Sequence, residues 1–172
     1  EGQLLTGKSA MERAGIPRII LGPKEGLALN NGATFCAAVA ALCVDNAHKL
    51  IKLSDLAIAL SLEALVGRSN AFDARLHLAR GHEGQIDVAE QIRLLISGST
   101  LVDSNSHIQD AYSLRCAPQV TGIARQTLKF VHAVIEKEMN AATDNPLIFS
   151  SDEAISGGNF HGEPVGMVMD FL

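Results

Sequence analysis

The sequence predicts a mainly α-helical fold, a bundle built on long helices, and three observations carry that prediction. Ala (23 residues) and Leu (21 residues), the best helix formers, supply about a quarter of the 172 residues. Aromatic residues are scarce, with six Phe, one Tyr and no Trp; an all-β sandwich or barrel would draw more heavily on aromatic and β-branched side chains. From Ala33 to beyond Val66 no proline interrupts a helix-periodic stretch of some 34 residues, roughly 50 Å of helix at ~1.5 Å per residue. Its first half, Ala33 to Val44, is apolar on every face, and such a helix has to be surrounded by others. One chain of this size can hardly enclose it, so we expect a bundle completed by further segments or by other subunits.

The remaining elements follow from their start and stop signals. Gly7 to Ala14 reads as a short helix closed by Gly15 and Pro17. Arg18 to Leu21 reads as extended, and Pro23 suits the first turn of a short helix over Lys24 to Leu29. Asn30-Asn31-Gly32 is a break before the long helix, and Gly67 to Phe72 is a loop after it. Short and medium helices follow over Ala74 to Arg80 and Glu83 to Leu95, with Glu90 and Arg93 as an exposed i, i+3 pair. Ser97 to Thr100 ends that helix, and Asp103 to His107 is a polar loop. Pro118 opens a second long helix that runs to about Met139, and Asp144-Asn145-Pro146 stops it. Leu147 to Phe149 and Glu153 to Ile155 pair as a small hairpin, Gly157 to Gly162 is a loop, and a final helix starts at Glu163.

Charge and composition exclude several functions. Lys and Arg number 14 against 19 Asp and Glu, a net charge of −5 with no basic stripe, which argues against binding nucleic acid through its phosphates. The longest uncharged apolar stretch has twelve residues, short of the ~20 that span a bilayer. No leader and no glycosylation sequon are visible, so a cytoplasmic protein without membrane contact is expected. Three cysteines fit a reducing compartment. Cys36 and Cys43 share a helical face ~10 Å apart, too far for a disulfide, and read as small buried thiols. No Cys/His spacing suggests a metal site. The chain starts at Glu1 and ends in an apolar segment, Gly166 to Leu172. Residues 1–172 therefore read as the central segment of a single helical domain, with N- and C-terminal parts outside it.

The sharpest polar constellation is Gln109-Asp-Ala-Tyr-Ser-Leu-Arg115. On a helical turn Gln109, Tyr112 and Arg115 lie three apart on one face, an amide, a phenol and a guanidinium suited to a planar carboxylate. The alternative is structural, with Arg115 paired to an Asp and Tyr112 capping the core. Among the histidines, His77 and His82 read as surface residues, and His48 and His132 as packing or solvent-facing. His161, beside Phe160 in a Gly-rich loop, has the only unusual setting. No Ser-His-Asp order, nucleophile elbow, phosphate loop or His-Glu-x-x-His helix is present.

Four polar segments together carry a resemblance. Lys24-Glu-Gly-Leu-Ala-Leu-Asn-Asn-Gly32, Gln109 to Val120, Asn140-Ala-Ala-Thr-Asp-Asn-Pro-Leu147 and Gly157-Gly-Asn-Phe-His-Gly-Glu-Pro-Val165 resemble the aromatic amino acid ammonia-lyases, in the right order and across essentially the whole chain. The resemblance is strongest to the histidine-specific branch, through Ser113, Cys116 and His161; in phenylalanine-specific relatives Gln commonly follows the Phe. It implies an ammonia-lyase/aspartase-like bundle of long helices, incomplete at both ends here, shared in a homotetramer. It implies non-oxidative loss of ammonia from an α-amino acid as small-molecule substrate, histidine to urocanate. It also implies a methylidene-imidazolone (MIO) electrophile formed from an internal Ala-Ser-Gly, with no metal. By the same resemblance Asn31 hydrogen-bonds the substrate and electrophile region, Tyr112 positions or activates the electrophile, and Phe160 packs beside it. Arg115 pairs with the substrate carboxylate, Gln109 supports that clamp, and His161 contributes to substrate binding. No Ala-Ser-Gly occurs in these residues, so the segment alone is expected to be inactive. A phenylalanine or tyrosine ammonia-lyase, an aminomutase, or a non-catalytic helical assembly module would share the same scaffold.

Overall fold

The computed structural model describes residues 2–172. Helix α1 (Gly7–Ala14) starts at Thr6, whose hydroxyl accepts from the Ser9 backbone N–H, and stops at Gly15 in the left-handed region. Helix α2 is a single turn, Glu25–Ala28. Helix α3 (Thr34–Ala64) is the rod of the molecule, 31 uninterrupted residues. A 3-10 turn, Ser69–Phe72, lies where a plain loop was expected. Helices α4 (Ala74–Arg80), α5 (Glu83–Leu95), α6 (Tyr112–Arg115), α7 (Ala117–Met139) and α8 (Glu163–Phe171) follow, with strands β1 (Leu147–Ser150) and β2 (Glu153–Ile155) before α8. The two strands form an antiparallel hairpin, Leu147 opposite Ile155. Arg18 to Leu21, read as extended, joins no sheet; exposed along its length, it meets no strand edge to pair with.

Two hydrophobic clusters lie along α3. Ala33, just before it, and Ala37, Ala40 and Val44 of its first half pack on Leu128, Val131 and Ile135 of α7 and Val165 and Val168 of α8. Its second half packs Ala59 and Leu62 on Phe72, on Val88 and Ile92 of α5, and on Leu114. Early residues of α3 thus meet late residues of α7, and the two helices run antiparallel. Small residues set the spacing. Where α5 crosses α7, a Cβ on Gly84 would lie 2.1 Å from the Gly122 carbonyl oxygen, and one on Gly122 would lie 2.6 Å from the Gln85 nitrogen. The Arg125 guanidinium of α7 pairs with Asp55 of α3, a carboxylate only 6% exposed.

The all-round apolar character of α3 is only half used within this chain. At ~100° per residue, the buried Ala37, Ala40, Val44, Asp55, Ala59 and Leu62 occupy one side of the rod. Phe35, Val39, Leu42, Leu50, Leu53 and Leu60 are exposed, and they fall within about 80° on the opposite side. By length and composition α3 is apolar enough to cross a membrane; here its inner side packs against α5, α7 and α8.

Three expectations are corrected. Cys36 and Cys43 are exposed, because they sit on the flank of α3 between its buried and exposed stripes. His77 is fully buried, not at the surface; its Nε2–H donates to the Ala71 carbonyl (3.1 Å) and its Nδ1 accepts from Gln85 Nε2 (2.9 Å). Arg93 forms no ion pair with Glu90 and instead donates to the Phe72 carbonyl (2.6 Å), tying α5 to the 3-10 turn.

Candidate active site

The residues singled out from the sequence divide into two groups at opposite ends of α3. At its N-terminal end, Asn31 Nδ2 donates to Asp144 Oδ1 at 2.7 Å. The same carboxylate oxygen accepts from the Asn145 backbone N–H (2.7 Å), and the Lys24 ammonium pairs with Asp144 Oδ2. Lys24 chiefly, then Asn31 and the Asn145 N–H, hold the Asp144 carboxyl down to about 2. The backbone enforces this contact. Gly32 is left-handed (φ 79°), and a Cβ there would lie 2.1 Å from the Thr143 carbonyl oxygen, so only glycine lets the 30–32 turn rest on the 142–145 loop. Lys24, predicted as the first residue of a helix, is itself left-handed (φ 69°) ahead of α2, a conformation rare outside glycine.

The Gly-rich loop is tied to the same end. Asn145 Oδ1 accepts from the Gly157 backbone N–H (2.7 Å) and the Ser156 hydroxyl (3.1 Å), and Asn159 Nδ2 donates to the Ala142 carbonyl (3.3 Å). The His161 N–H closes a turn on the Gly158 carbonyl. Phe160, in that turn, keeps 44% of its surface exposed. The Glu163 backbone N–H donates to His161 Nδ1 (3.2 Å), so a neutral His161 carries its proton on Nε2 and has that N–H to offer.

At the other end of α3, Asp110 organises the second group. Its carboxylate accepts from the Arg68 backbone N–H (2.7 Å) and contacts His107 Nε2 (2.6 Å), which anchors residues 107–110 to the end of the rod. This anchoring overturns the single helical face expected for Gln109, Tyr112 and Arg115. Helix α6 begins only at Tyr112, after an extended Ala111, and Gln109 lies exposed on the segment before it. Tyr112 and Arg115 do come together, the guanidinium carbon 4.6 Å from the ring centroid. Tyr112 is 71% exposed. Arg115 Nε is buried without a hydrogen-bond partner, and among the described residues no carboxylate forms an ion pair with Arg115. The structural alternative, Arg115 bound to an Asp, is therefore not the one observed.

Asn31, Phe160 and His161 thus stand on the order of 45 Å from Tyr112 and Arg115, the length of a 31-residue helix. The apolar groove of about 400 Å³ between α3 and α7, lined by Asp45, His48, His132 and Met139 among others, contains none of these residues. No group of three metal-ligating side chains gathers among the described residues. The sequence pattern singles out neither Lys24 nor Asp144 as a site residue: both stand inside the quoted polar segments, and Asp144 reads only as part of a helix stop.

A family profile described as aromatic amino acid lyase matches residues 1–172. The chain belongs to this family. It is similar to the histidine ammonia-lyase of Clostridium tetani, 50% identical over 100% of this chain and 34% of that protein. The chain therefore spans about a third of the length of the curated relatives it matches. Among solved structures it resembles a tyrosine aminomutase from Streptomyces globisporus, with a TM-score of 0.90 and 35% identity over 99% of this chain and 37% of that one. It also resembles a histidine ammonia-lyase from Trypanosoma cruzi, with a TM-score of 0.86 and 41% identity over 96% of this chain and 31% of that one. The mainly helical family fold is thereby shown for this segment of an aromatic amino acid lyase.

Proposed function

We propose that this chain is one segment of a cytoplasmic, homotetrameric histidine ammonia-lyase that converts L-histidine to urocanate and ammonia, with no nucleic-acid or membrane partner. The observation that carries the reading is the separation of the two polar groups. Neither end holds a full set of substrate contacts, so a working site joins the Asn31 end of one copy to the Tyr112 end of another. Curated histidine ammonia-lyases at about 50% identity across the whole chain support the substrate class.

The residues present have distinct tasks. Arg115, with no carboxylate of its own, pairs with the substrate carboxylate, and stacking on Tyr112 keeps its planar fork in place. Gln109, on the neighbouring segment, supports that clamp. His161 offers an Nε2–H, a donor that an imidazole side chain can accept and a phenyl ring cannot. Phe160 supplies an apolar wall, and Asn31 a fixed amide. The residues also fit the methylidene-imidazolone of this enzyme class: Asn31 Oδ1 and the Tyr112 hydroxyl carry no hydrogen bond among the described residues, and Phe160 presents an apolar face. When bound, that group supplies the electrophilic centre that makes the amino group a good leaving group. Its Ala-Ser-Gly precursor is not among these 172 residues.

Co-expression tests the composite site. Full-length Asn31→Ala and Tyr112→Phe proteins, each strongly impaired alone, are expected together to recover about a quarter of the wild-type sites, because each site draws its two ends independently. No recovery would place both ends of a site in one copy and sink the proposal. Product analysis settles the branch: urocanate from L-histidine supports it, whereas turnover only of L-phenylalanine or L-tyrosine, or a β-amino acid product, assigns the chain to a lyase or aminomutase of another substrate.

A further inference from the structure

We infer that Asp144, braced by Lys24, is the positioning residue that fixes the side-chain amide of Asn31 for its work on the substrate. The inference rests on the reading of Asn31 given above and extends it. An Asn side chain offers an oxygen and an NH2 of nearly equal shape, so its usefulness in a site depends on what decides which one faces the substrate. Here the decision is forced. Asp144 is an ionised carboxylate, an acceptor only, and it takes one N–H of Asn31 Nδ2 at 2.7 Å. The amide oxygen and the second N–H are then left in a fixed order for a bound ligand.

Asp144 is in turn prevented from moving. Its Oδ1 also accepts from the Asn145 backbone N–H, and its Oδ2 is paired with the Lys24 ammonium. Only 18% of the Asp144 side chain and 27% of that of Lys24 are exposed. Two backbone features with no other evident purpose serve the same contact: Lys24 is left-handed (φ 69°) without being glycine, and Gly32 lies where a Cβ would be 2.1 Å from the Thr143 carbonyl oxygen. Strain concentrated where the Lys24 and Asn31 side chains and the Asn145 N–H converge on one carboxylate points to positioning. The Phe160 loop is held by a different group, the Asn145 side-chain oxygen, which accepts from the Gly157 N–H and the Ser156 hydroxyl, so the Asp144 carboxylate acts on this end through Asn31.

A double-mutant cycle in the full-length protein tests this, with kcat/KM for L-histidine as the readout. Asp144→Asn keeps the shape but lets the facing group present either an oxygen or an NH2 to Asn31, and it no longer holds Lys24. It is expected to lower kcat/KM by about tenfold when Asn31 is present. In an Asn31→Ala background the same change is expected to cost no more than about twofold, because its effect runs through the missing amide. Asp144→Ala, taken through the same cycle, is expected to lose at least as much with Asn31 present and as little without it. Equal losses in the two backgrounds, or no loss with Asn31 present, would overturn the inference, since a merely structural Asp144 acts independently of Asn31. Asn31→Ala with wild-type turnover would instead refute the role given to Asn31 itself, an outcome distinct from either.

Discussion

His77 has both ring nitrogens committed in opposite senses, one donating to the Ala71 carbonyl and the other accepting from Gln85. A second proton would have to displace Gln85 inside a site with no exposed surface, and burial lowers the pKa below its ordinary 6.5. Protonation therefore favours the unfolded chain. The contribution of neutral His77 is fully present above about pH 6.5 and declines as the pH falls below it. Unfolding midpoints measured at pH 7.5 and pH 5 should drop further for the wild type than for His77→Gln, which keeps a polar partner for Gln85 but cannot titrate. Equal drops would place the acid sensitivity elsewhere. The burial of His77 was not legible in the sequence, because a seven-residue helix between two glycine-bounded turns gives too little periodicity to show which side faces inward. What buries it is α5, through Gln85, a partner that no local pattern names.

At the scale of the element, the stop and start signals were legible because they are short-range chemistry. Gly15 ends α1 and Pro118 sits in the first turn of α7, both as expected, and Thr6, Asp73 and Gly81 cap or terminate their helices just as locally. The failure at Gln109 has the opposite origin. Its spacing to Tyr112 and Arg115 is helical, but Asp110 is captured by the Arg68 N–H 42 residues away, and the chain stays extended to meet it. Helix contacts obey the same distinction. The crossing of α5 and α7 depends on Gly84 and Gly122 facing each other, and neither glycine announces this locally. A methyl group at Gly122 would meet the backbone of Gln85 at 2.6 Å, a neighbour that cannot swing aside. Gly122→Ala should therefore destabilise the fold by about 2 kcal/mol, read as a lower midpoint in denaturant with an unchanged slope. A loss within error of zero would mean that the two helices separate freely.

The whole molecule is two-sided about α3. One stripe of the rod is filled by α5, α7 and α8, and the other presents Phe35, Leu42, Leu50, Leu53 and Leu60 to the outside. Large exposed apolar side chains gathered on one side of a helix mark an interaction site, and in the proposed tetramer they are covered by other helices of the assembly. Leu50→Glu combined with Leu53→Glu should reduce the assembled mass of the full-length protein in light scattering while leaving the helical circular dichroism of each copy near its original value. An unchanged mass would remove this stripe from the assembly. The sequence made the need for such cover legible, since α3 is apolar on all sides in its first half. It could not show that the two polar groups lie at opposite ends of the rod, because distance along a chain says nothing of direction once the chain has folded back through α7.

An uninterrupted α3 also makes its own length a specification. With no proline, no bulge and no loop between Thr34 and Ala64, the rod can absorb nothing. One inserted residue would push the Tyr112 end ~1.5 Å further from Asn31 and turn it by ~100° about the axis. Seven inserted residues would nearly restore the angle yet lengthen the rod by about 10 Å. No small insertion or deletion in this helix preserves both separation and facing. The middle of α3 therefore tolerates exchange of one side chain for another far better than any change in their number, although it touches neither end.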